Sequence, residues 1–194
     1  MSKLSKDFYL QTDVVSLAKS LAGKLLVTKV NGKTTSGIIT ETEAYNGVID
    51  MASHAYNGRR TARNEHMYSE GGTAYVYICY GIHTLFNVVT NQKNIPHAIL
   101  IRAVKPVSGI DLMLKRRNKK KHDKTLSGGP GTVSQALGIH ISDSGITLRG
   151  NKIWIEDVGI VPSKTQLKIT PRIGIESAGE AVNYPYRFLL NLDL

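Results

Sequence analysis

Two strand-like segments joined by Asn31-Gly32 constrain the fold of this chain most strongly. Residues 24–30 and about 35–45 both have strand-like composition, and Asn-Gly suits a two-residue hairpin turn because both positions tolerate positive φ. More strand pairs are predicted downstream, whereas the clearest amphipathic helix comes early. One helix followed mostly by hairpins predicts an α+β fold: a single mixed domain over residues 1–194 with a curved, largely antiparallel β-sheet flanked by helices.

Periodicity and turn residues place the other elements. A helix is predicted over residues 13–22, with Asp13 as its N-cap and Gly23 after its end. Residues 46–70 are polar and are predicted to form a long irregular loop, a kind of segment that is usually functional or disordered. The remaining predictions are strands at about 73–79, 84–90, 98–104, 152–157, 165–170 and 186–190, and helices at 108–117 and 132–137.

Charge and composition narrow the choice of partners without deciding the function. The 194 residues carry a net charge of +10, which suits a nucleic-acid partner but also many basic proteins that bind none. The sequence has no apolar run long enough to cross a bilayer, and we expect no signal peptide because residues 1–9 contain no apolar stretch. With one cysteine and scattered histidines, we expect no intrachain disulfide and no metal site. The single cysteine suits a cytoplasmic location, and a monomer is the default expectation.

Glu41, Glu43 and Tyr45 are expected to share one face of a strand, because strand side chains alternate. The pattern fits a solvated strand face with a charged stripe. It also fits a carboxylate base beside a flat stacking surface. The local sequence leaves both interpretations open.

Three tyrosines follow in the next predicted hairpin. Tyr75 and Tyr77 share a strand face, which is common for half-buried tyrosines in sheets. Tyr80 falls at the bend, where an aromatic side chain has little to pack against. A protruding ring there suits a wedge between base pairs.

Arg102 is a lone charge within the apolar segment 98–104. It either lies at a sheet edge and reaches water through its long side chain, or it faces Glu43 across the sheet as a paired buried charge. His54 and Asn87 are polar candidates of a similar kind, although a loop histidine is more often structural.

A basic segment at residues 115–124 is predicted to be a mobile, solvated loop that could also touch phosphates. Gly128 to Gly131 then lead into a helix whose first N–H groups suit an anion. Glycine-rich turns before helices are frequent, so this second signal has little specificity.

These motifs, in this order, resemble the alkyladenine (3-methyladenine) DNA glycosylase family of the mammalian-type fold. The resemblance rests on ETEAY at 41–45, a histidine nine residues further on, GTAYVYICYG at 72–81, the asparagine and the strand arginine. It covers nearly the whole chain and recurs in 129–138 and 171–180. It implies one mixed domain built around a curved antiparallel sheet, in agreement with the strand pattern.

The resemblance also implies the catalytic groups. Glu43 corresponds to the carboxylate that activates a water molecule, and Arg102 corresponds to the residue that helps to hold this water. A backbone carbonyl near residues 172–175 would contact the same water. No cofactor and no metal are implied.

The resemblance implies a base pocket as well. Tyr45 and Tyr77 would sandwich the flipped base, with His54 in the same pocket. Asn87 would disfavour the exocyclic amine of normal guanine. Tyr80 would fill the gap that the extruded nucleotide leaves in the duplex.

The expected function is therefore that of a monofunctional DNA glycosylase of base excision repair. It would flip alkylated or deaminated purines out of double-stranded DNA and hydrolyse the N-glycosidic bond, leaving an abasic site. A bacterial member would be associated with the nucleoid. Two alternatives stay open: a non-catalytic nucleic-acid-binding protein that stacks bases on surface tyrosines, and a carbohydrate hydrolase that uses Glu41 and Glu43, about 7 Å apart, as its carboxylate pair.

Overall fold

The computed structural model describes residues 2–192, so Met1, Asp193 and Leu194 of the predicted domain lie outside the described residues. Within this range one sheet of nine strands is antiparallel at every pairing and is accompanied by four α-helices. The predicted α+β fold is confirmed. The strands are β1 (Ser2–Lys3), β2 (Leu25–Val30), β3 (Lys33–Asn46), β4 (Ala74–Cys79), β5 (His83–Thr90), β6 (His97–Ser108), β7 (Ile153–Asp157), β8 (Leu167–Thr170) and β9 (Arg187–Leu190). The helices are α1 (Lys6–Tyr9), α2 (Val14–Leu21), α3 (Ile110–Arg116) and α4 (Pro130–Leu137).

The long strand β3 organises the sheet, whose main order is β1-β7-β2-β3-β6-β5-β4. One edge of β3 pairs with β2 over its first half and with β9 at residues 41–43, while its other edge pairs with β6. β8 then continues the sheet beyond β9. This arrangement brings the C-terminal strands beside the segment that carries the two predicted acids.

The turn and cap predicted from the sequence are both present. Asn31 and Gly32 have φ of 50° and 75°, as the hairpin requires. The Asp13 carboxylate accepts hydrogen bonds from the backbone N–H groups of Val15 and Ser16, both at 3.0 Å, at the start of α2.

The two faces of the sheet have different roles. One face packs α2 and α4 against a large apolar core that includes Ile39, Phe86 and Ile101. The opposite face carries a row of directly paired residues across four strands, Glu43–Leu100–Asn87–Tyr75. The predicted site residues therefore lie on the face away from the helices.

Residues 46–70 partly cover this second face. The predicted long loop contains three short 3₁₀-helices, Gly47–Ile49, Tyr56–Gly58 and Glu65–Tyr68. The buried Asn64 side chain accepts a hydrogen bond from the Thr61 N–H and donates to the carbonyls of His54 and Arg59. These bonds fix the course of the segment over the sheet.

Differences from the predicted elements are confined to their ends and to very short pieces. Helix α3 runs through Arg116, so the first two residues of the predicted basic loop are helical. Helix α4 begins at Pro130, because proline fits the first position of a helix. β1 and α1 were not predicted, since two and four residues are too few to show a period.

Candidate active site

Glu41 and Glu43 lie on the same side of β3, as the alternation of strand side chains predicts. Their side chains are 14% and 0% exposed, so the interpretation as a solvated strand face is wrong. Buried acids need partners. Arg102 provides them, since its Nε donates to Glu41 Oε1 at 2.8 Å and its Nη1 donates to Glu43 Oε2 at 3.2 Å.

A β-bulge gives Arg102 this position. β3 and β6 pair at Thr42–Ile101 and next at Glu41–Ala103, so Arg102 is the extra residue between the two pairs. β6 lies between β3 and β5, and only 14% of the Arg102 side chain is exposed. The interpretation as an edge arginine is therefore wrong, and the prediction that Arg102 faces Glu43 is confirmed.

Three donors hold the Glu43 carboxylate. The backbone N–H of Ile173 donates to Oε1 at 2.8 Å. Oε2 accepts from the Tyr45 hydroxyl at 3.0 Å and from Arg102. Because an ionised carboxylate has about four acceptor positions, two on each oxygen, about one position on Oε1 is left for a further donor such as water.

The surroundings of Glu43 act on its pKa in opposite directions. Burial raises the pKa above the ordinary value for glutamate, while Arg102, the Ile173 N–H and the Tyr45 hydroxyl lower it. The negative charge of Glu41 adds a smaller upward effect. A buried carboxylate with a raised pKa beside a cavity is typical of acid–base sites.

Two cavities meet at Tyr45 and Tyr77, which line both of them. The larger cavity, about 490 Å³, is in the usual range for ligand sites and is also lined by Arg102 and Ile173. Glu43 lies directly behind this wall, because three residues that line it also bind the Glu43 carboxylate. The smaller cavity, about 150 Å³, is also lined by His54, Tyr75, Asn87 and Gly174. The structure thus brings together all four residues predicted to form the base pocket.

Aromatic rings pack closely on one side of this region. The Tyr77 ring stacks on Tyr75 at 5.4 Å between centroids and receives His54 edge-on at 4.7 Å. His54 Nδ1 and the Tyr75 hydroxyl are hydrogen-bonded at 2.8 Å. Burial, with the charges of Arg63 and Arg59, lowers the pKa of His54 to about 4, so this ring is neutral at pH 7.

Each of the two tyrosines shared by the cavities already contacts a guanidinium group. Arg172 Cζ lies 4.8 Å from the centroid of the Tyr45 ring, and Arg63 Cζ lies 5.6 Å from that of Tyr77. Arg63 is fixed there by a hydrogen bond from Nη2 to the Ile78 carbonyl at 3.1 Å. These arginines reduce the attraction that either ring offers to a second cation.

Asn87 lies on the sheet beside this pocket and is 3% exposed. Its Nδ2 donates to the Tyr75 carbonyl at 3.1 Å, across the β4–β5 pair. This hydrogen bond fixes the orientation of the Asn87 amide at the wall of the smaller cavity.

Tyr80 is at the tip of the β4–β5 hairpin, where the sequence places it, and is 86% exposed. Its φ of 52° and that of 74° at Gly81 form the bend. Ile82, on the other side of the bend, is 76% exposed and was not singled out from the sequence. The tip presents two large apolar side chains, and Tyr80 also lines the larger cavity.

The family model described as methylpurine-DNA glycosylase (MPG) matches residues 7–193. The chain belongs to this family. A relative from Chlamydia felis is 53% identical over 97% of this chain and 96% of its own length, and relatives from Bacillus cereus and Clostridium perfringens are 46% and 41% identical over more than nine-tenths of both chains. All three are provisionally named 3-methyladenine DNA glycosylases.

Membership of the methylpurine-DNA glycosylase family places the chain among the DNA glycosylases, which are hydrolases of N-glycosidic bonds. DNA is thereby its substrate class, and DNA repair is its role.

Between residues 2 and 192, no helix has the length and apolar character needed to cross a membrane. Within the same range, no three His, Cys, Asp or Glu side chains are grouped so that they could hold a metal ion.

Several residues of this glycosylase site were not predicted from the sequence. Arg187 Nε donates to Glu41 Oε1 at 2.7 Å, so two arginines share one carboxylate oxygen. Asp50 and Arg172 form a buried ion pair beside Tyr45. The contact of a backbone carbonyl in residues 172–175 with the catalytic water stays a prediction, and the bond from this segment to Glu43 itself, donated by the Ile173 N–H, was not predicted.

Proposed function

We propose that this protein is a monofunctional DNA glycosylase that flips a damaged purine out of duplex DNA and hydrolyses its N-glycosidic bond with a water activated by Glu43. It acts as one catalytic domain, since the largest hydrophobic cluster contains residues from Leu4 to Phe188. It needs no cofactor, works as a monomer in the cytoplasm, and in a bacterium would be associated with the nucleoid.

The observation that carries this proposal is the environment of Glu43. Its carboxylate has no exposed surface, accepts hydrogen bonds from three donors, and adjoins a cavity lined by three tyrosines. Desolvating an acid is costly, and an acid kept this way beside a cavity is better explained by chemistry than by stability.

The net positive charge would serve the search along DNA, and the tip of the β4–β5 hairpin would serve the extrusion of the damaged base. The net charge of +10 supplies a sequence-independent attraction to phosphates. Extruding a base loses a few kcal/mol of stacking and pairing, and a side chain inserted into the gap restores part of it. Tyr80, 86% exposed at the tip, is suited to that insertion.

The base would then enter between Tyr45 and Tyr77, which line both cavities and are the two rings that the family resemblance assigns to the sandwich. Because Arg172 and Arg63 already contact these rings, we infer that stacking contributes more than cation–π attraction. Neutral damaged purines such as hypoxanthine are then acceptable alongside cationic alkylated ones. The fixed amide of Asn87 would disfavour the exocyclic amine of guanine.

Cleavage breaks the bond between the sugar C1′ and the purine nitrogen, and the electron pair leaves with the base. A cationic alkylated purine departs as a neutral molecule, so it needs no proton from the enzyme, whereas a neutral purine such as hypoxanthine departs as an anion and takes its proton from solvent water. Glu43 stabilises the positive charge that develops on the sugar and takes a proton from the water whose oxygen bonds to C1′. Among the described residues no lysine lines either cavity, which agrees with hydrolysis rather than a Schiff-base route.

The alternatives explain the site less well. A non-catalytic binder leaves the buried cluster of Glu41, Glu43 and Arg102 without a role. A carbohydrate hydrolase would need both acids free to act, but Glu41 Oε1 is shared by Arg102 and Arg187.

Free purine released from a duplex with a single hypoxanthine or 3-methyladenine, measured by chromatography, supports the glycosylase. Its absence would favour the non-catalytic binder.

Changing Tyr80 to alanine is expected to weaken binding to lesion-containing duplex by about 10- to 100-fold, since stacking on an aromatic side chain contributes about 1–3 kcal/mol per base. Affinity for undamaged duplex should change little. Tyr80→Phe is the matched control and should bind like the wild type, because the ring is retained. Equal lesion affinity of Tyr80→Ala and Tyr80→Phe would exclude the wedge.

Neutralising Lys119, Lys120 and Lys121 with glutamine is expected to flatten the dependence of DNA affinity on salt. Each lost phosphate contact reduces the slope of log K against log salt by about 0.9. Lys119 is paired with Asp123 at 3.1 Å, so we expect a total change of about two contacts rather than three. Glutamine at Lys29 and Lys33, which flank the β2–β3 turn at the end of β3 remote from Glu43, is the control. An unchanged slope in the triple variant would remove this segment from the interface.

A further inference from the structure

Arg172 is a fully buried cation that precedes Ile173, the residue whose N–H binds Glu43. Its guanidinium forms a two-pronged ion pair with Asp50, from Nη1 to Oδ2 at 2.5 Å and from Nη2 to Oδ1 at 2.8 Å. The side chains are 0% and 1% exposed. The pair therefore ties residues 171–173 to the segment that follows β3.

The same guanidinium also holds β3 itself. Nη1 donates to the carbonyl of Ala44 at 2.8 Å, and the Ala44 N–H donates to the carbonyl of Tyr186 at 2.8 Å. Ala44 is the residue between Glu43 and Tyr45. The backbone N–H and the carbonyl of Ala44 are thus both hydrogen-bonded to the C-terminal part of the chain.

Arg172 also restrains the stacking ring. Its Cζ lies 4.8 Å from the centroid of Tyr45 and 5.2 Å from that of Tyr186, so the guanidinium lies against both rings. The Tyr45 hydroxyl is in turn bonded to Glu43. One buried side chain therefore contacts the ring of the predicted base pocket and is adjacent to the amide that holds the acid.

Stability alone explains this arrangement poorly. Replacing a buried ion pair with apolar side chains is often neutral or stabilising. In addition, the buried Arg172 Nε has no hydrogen-bond partner among the described residues, which costs about 1–3 kcal/mol. The Arg172–Asp50 ion pair, called the clamp below, is better explained by the positions that it imposes on the neighbouring residues.

We propose that Arg172, held by Asp50, is a positioning residue that fixes the Tyr45 ring and the Ile173 amide relative to Glu43. The inference rests on the proposed glycosylase function. It predicts that loss of the clamp affects both base stacking and the ionisation of Glu43, because the Ile173 N–H is one of the groups that lower the pKa of this acid. The Tyr45 hydroxyl also lowers this pKa and would be loosened with its ring, whereas Arg102 and Glu41, the remaining groups that act on Glu43, are bonded to each other.

The test replaces the ion pair by apolar side chains of similar size, Arg172→Met with Asp50→Leu. We expect single-turnover base release to fall by about 10- to 100-fold, since small misplacements in a site cost up to about 100-fold. The acid limb of the pH–rate profile should move to higher pH. Affinity for undamaged duplex should be unchanged. Lys24→Met with Asp157→Asn removes another ion pair, beside β2 and β7 at the other end of the sheet from β4 and β5, and should leave both readouts as in the wild type.

Arg172→Lys is the second variant, because it keeps the charge but not the two-pronged contact. It should show a smaller loss of rate in the same direction and shift the acid limb in the same way, even if the double variant does not fold. Wild-type rates and an unmoved acid limb in either folded variant would overturn the positioning role while leaving the glycosylase intact. No base release by the wild-type protein would instead overturn the function on which the inference rests.

Discussion

Glu43→Gln is expected to abolish base release while leaving DNA binding in place. Glutamine has nearly the shape of glutamate, so the walls formed by Tyr45, Arg102 and Ile173 stay where they are. It cannot take a proton from water or stabilise positive charge on the sugar as an anion. Loss of general base catalysis alone lowers rates by about 10²- to 10⁴-fold, and loss of the charge adds to this.

The hydrogen bonds of Glu43 predict a side effect of this substitution. The carboxylate accepts on both oxygens, but the glutamine NH₂ must face either the Ile173 N–H or the donors Tyr45 and Arg102. One lost acceptor in a buried site costs about 1–3 kcal/mol. Thermal unfolding must therefore be measured beside activity, to show that the variant is folded at the assay temperature.

Single-turnover release of purine from a lesion-containing duplex is the decisive measurement for Glu43→Gln. Glu156→Gln on β7 is the matched control, because glutamine keeps the oxygen that accepts from Trp154 Nε1. Wild-type turnover in Glu43→Gln would refute the assignment of the base. Lost binding to DNA in a folded variant would show that Glu43 acts in binding rather than in chemistry.

Local patterns predicted most of the fold. The Asn31-Gly32 turn, the cap at Asp13 and the placement of Tyr80 at a hairpin tip each depend on residues within a few positions of one another. Alternation alone placed Glu41 and Glu43 on one face. Helix ends differ more from the prediction, because caps and first turns are set by single residues such as Pro130.

Contacts between distant segments could not be predicted from local patterns. Arg187 binds Glu41 from 146 positions away, and Arg172 binds Asp50 from 122 positions away. Both contacts depend on β9 pairing with β3, and β9 is a four-residue strand with no distinctive pattern. The bulge at Arg102 is equally invisible in sequence, although it decides where the guanidinium points. The resemblance to a known family supplied the roles of the site residues, but not the clamp that holds two of them.

Arg102→Gln is expected to lower base release at pH 7 by about 100-fold or more, through the ionisation of Glu43. Burial raises the pKa of Glu43, and Arg102 is the strongest of the groups that oppose this effect. Without the guanidinium the pKa rises further, so more of the base is protonated and inactive at neutral pH. The acid limb of the pH–rate profile should move to higher pH, and part of the lost rate should return above neutrality. Arg102→Lys keeps a positive charge and should shift the limb less.

The stability of the Arg102→Gln variant should depend on pH with a definite sign. An acid whose pKa is raised by folding stabilises the folded state below its unfolded pKa of about 4.3, and this stability is lost as the pH rises through the folded pKa. The free energies of unfolding of the variant and the wild type should therefore differ least near pH 4 and most at neutral pH and above. Removing one member of a buried pair costs about 3 kcal/mol, and Glu41 keeps Arg187 as a partner. Urea unfolding at several pH values measures this difference. A gap between the two proteins that is constant with pH would show that Arg102 does not act on the charge of Glu43, and an unmoved acid limb would remove it from the catalytic mechanism.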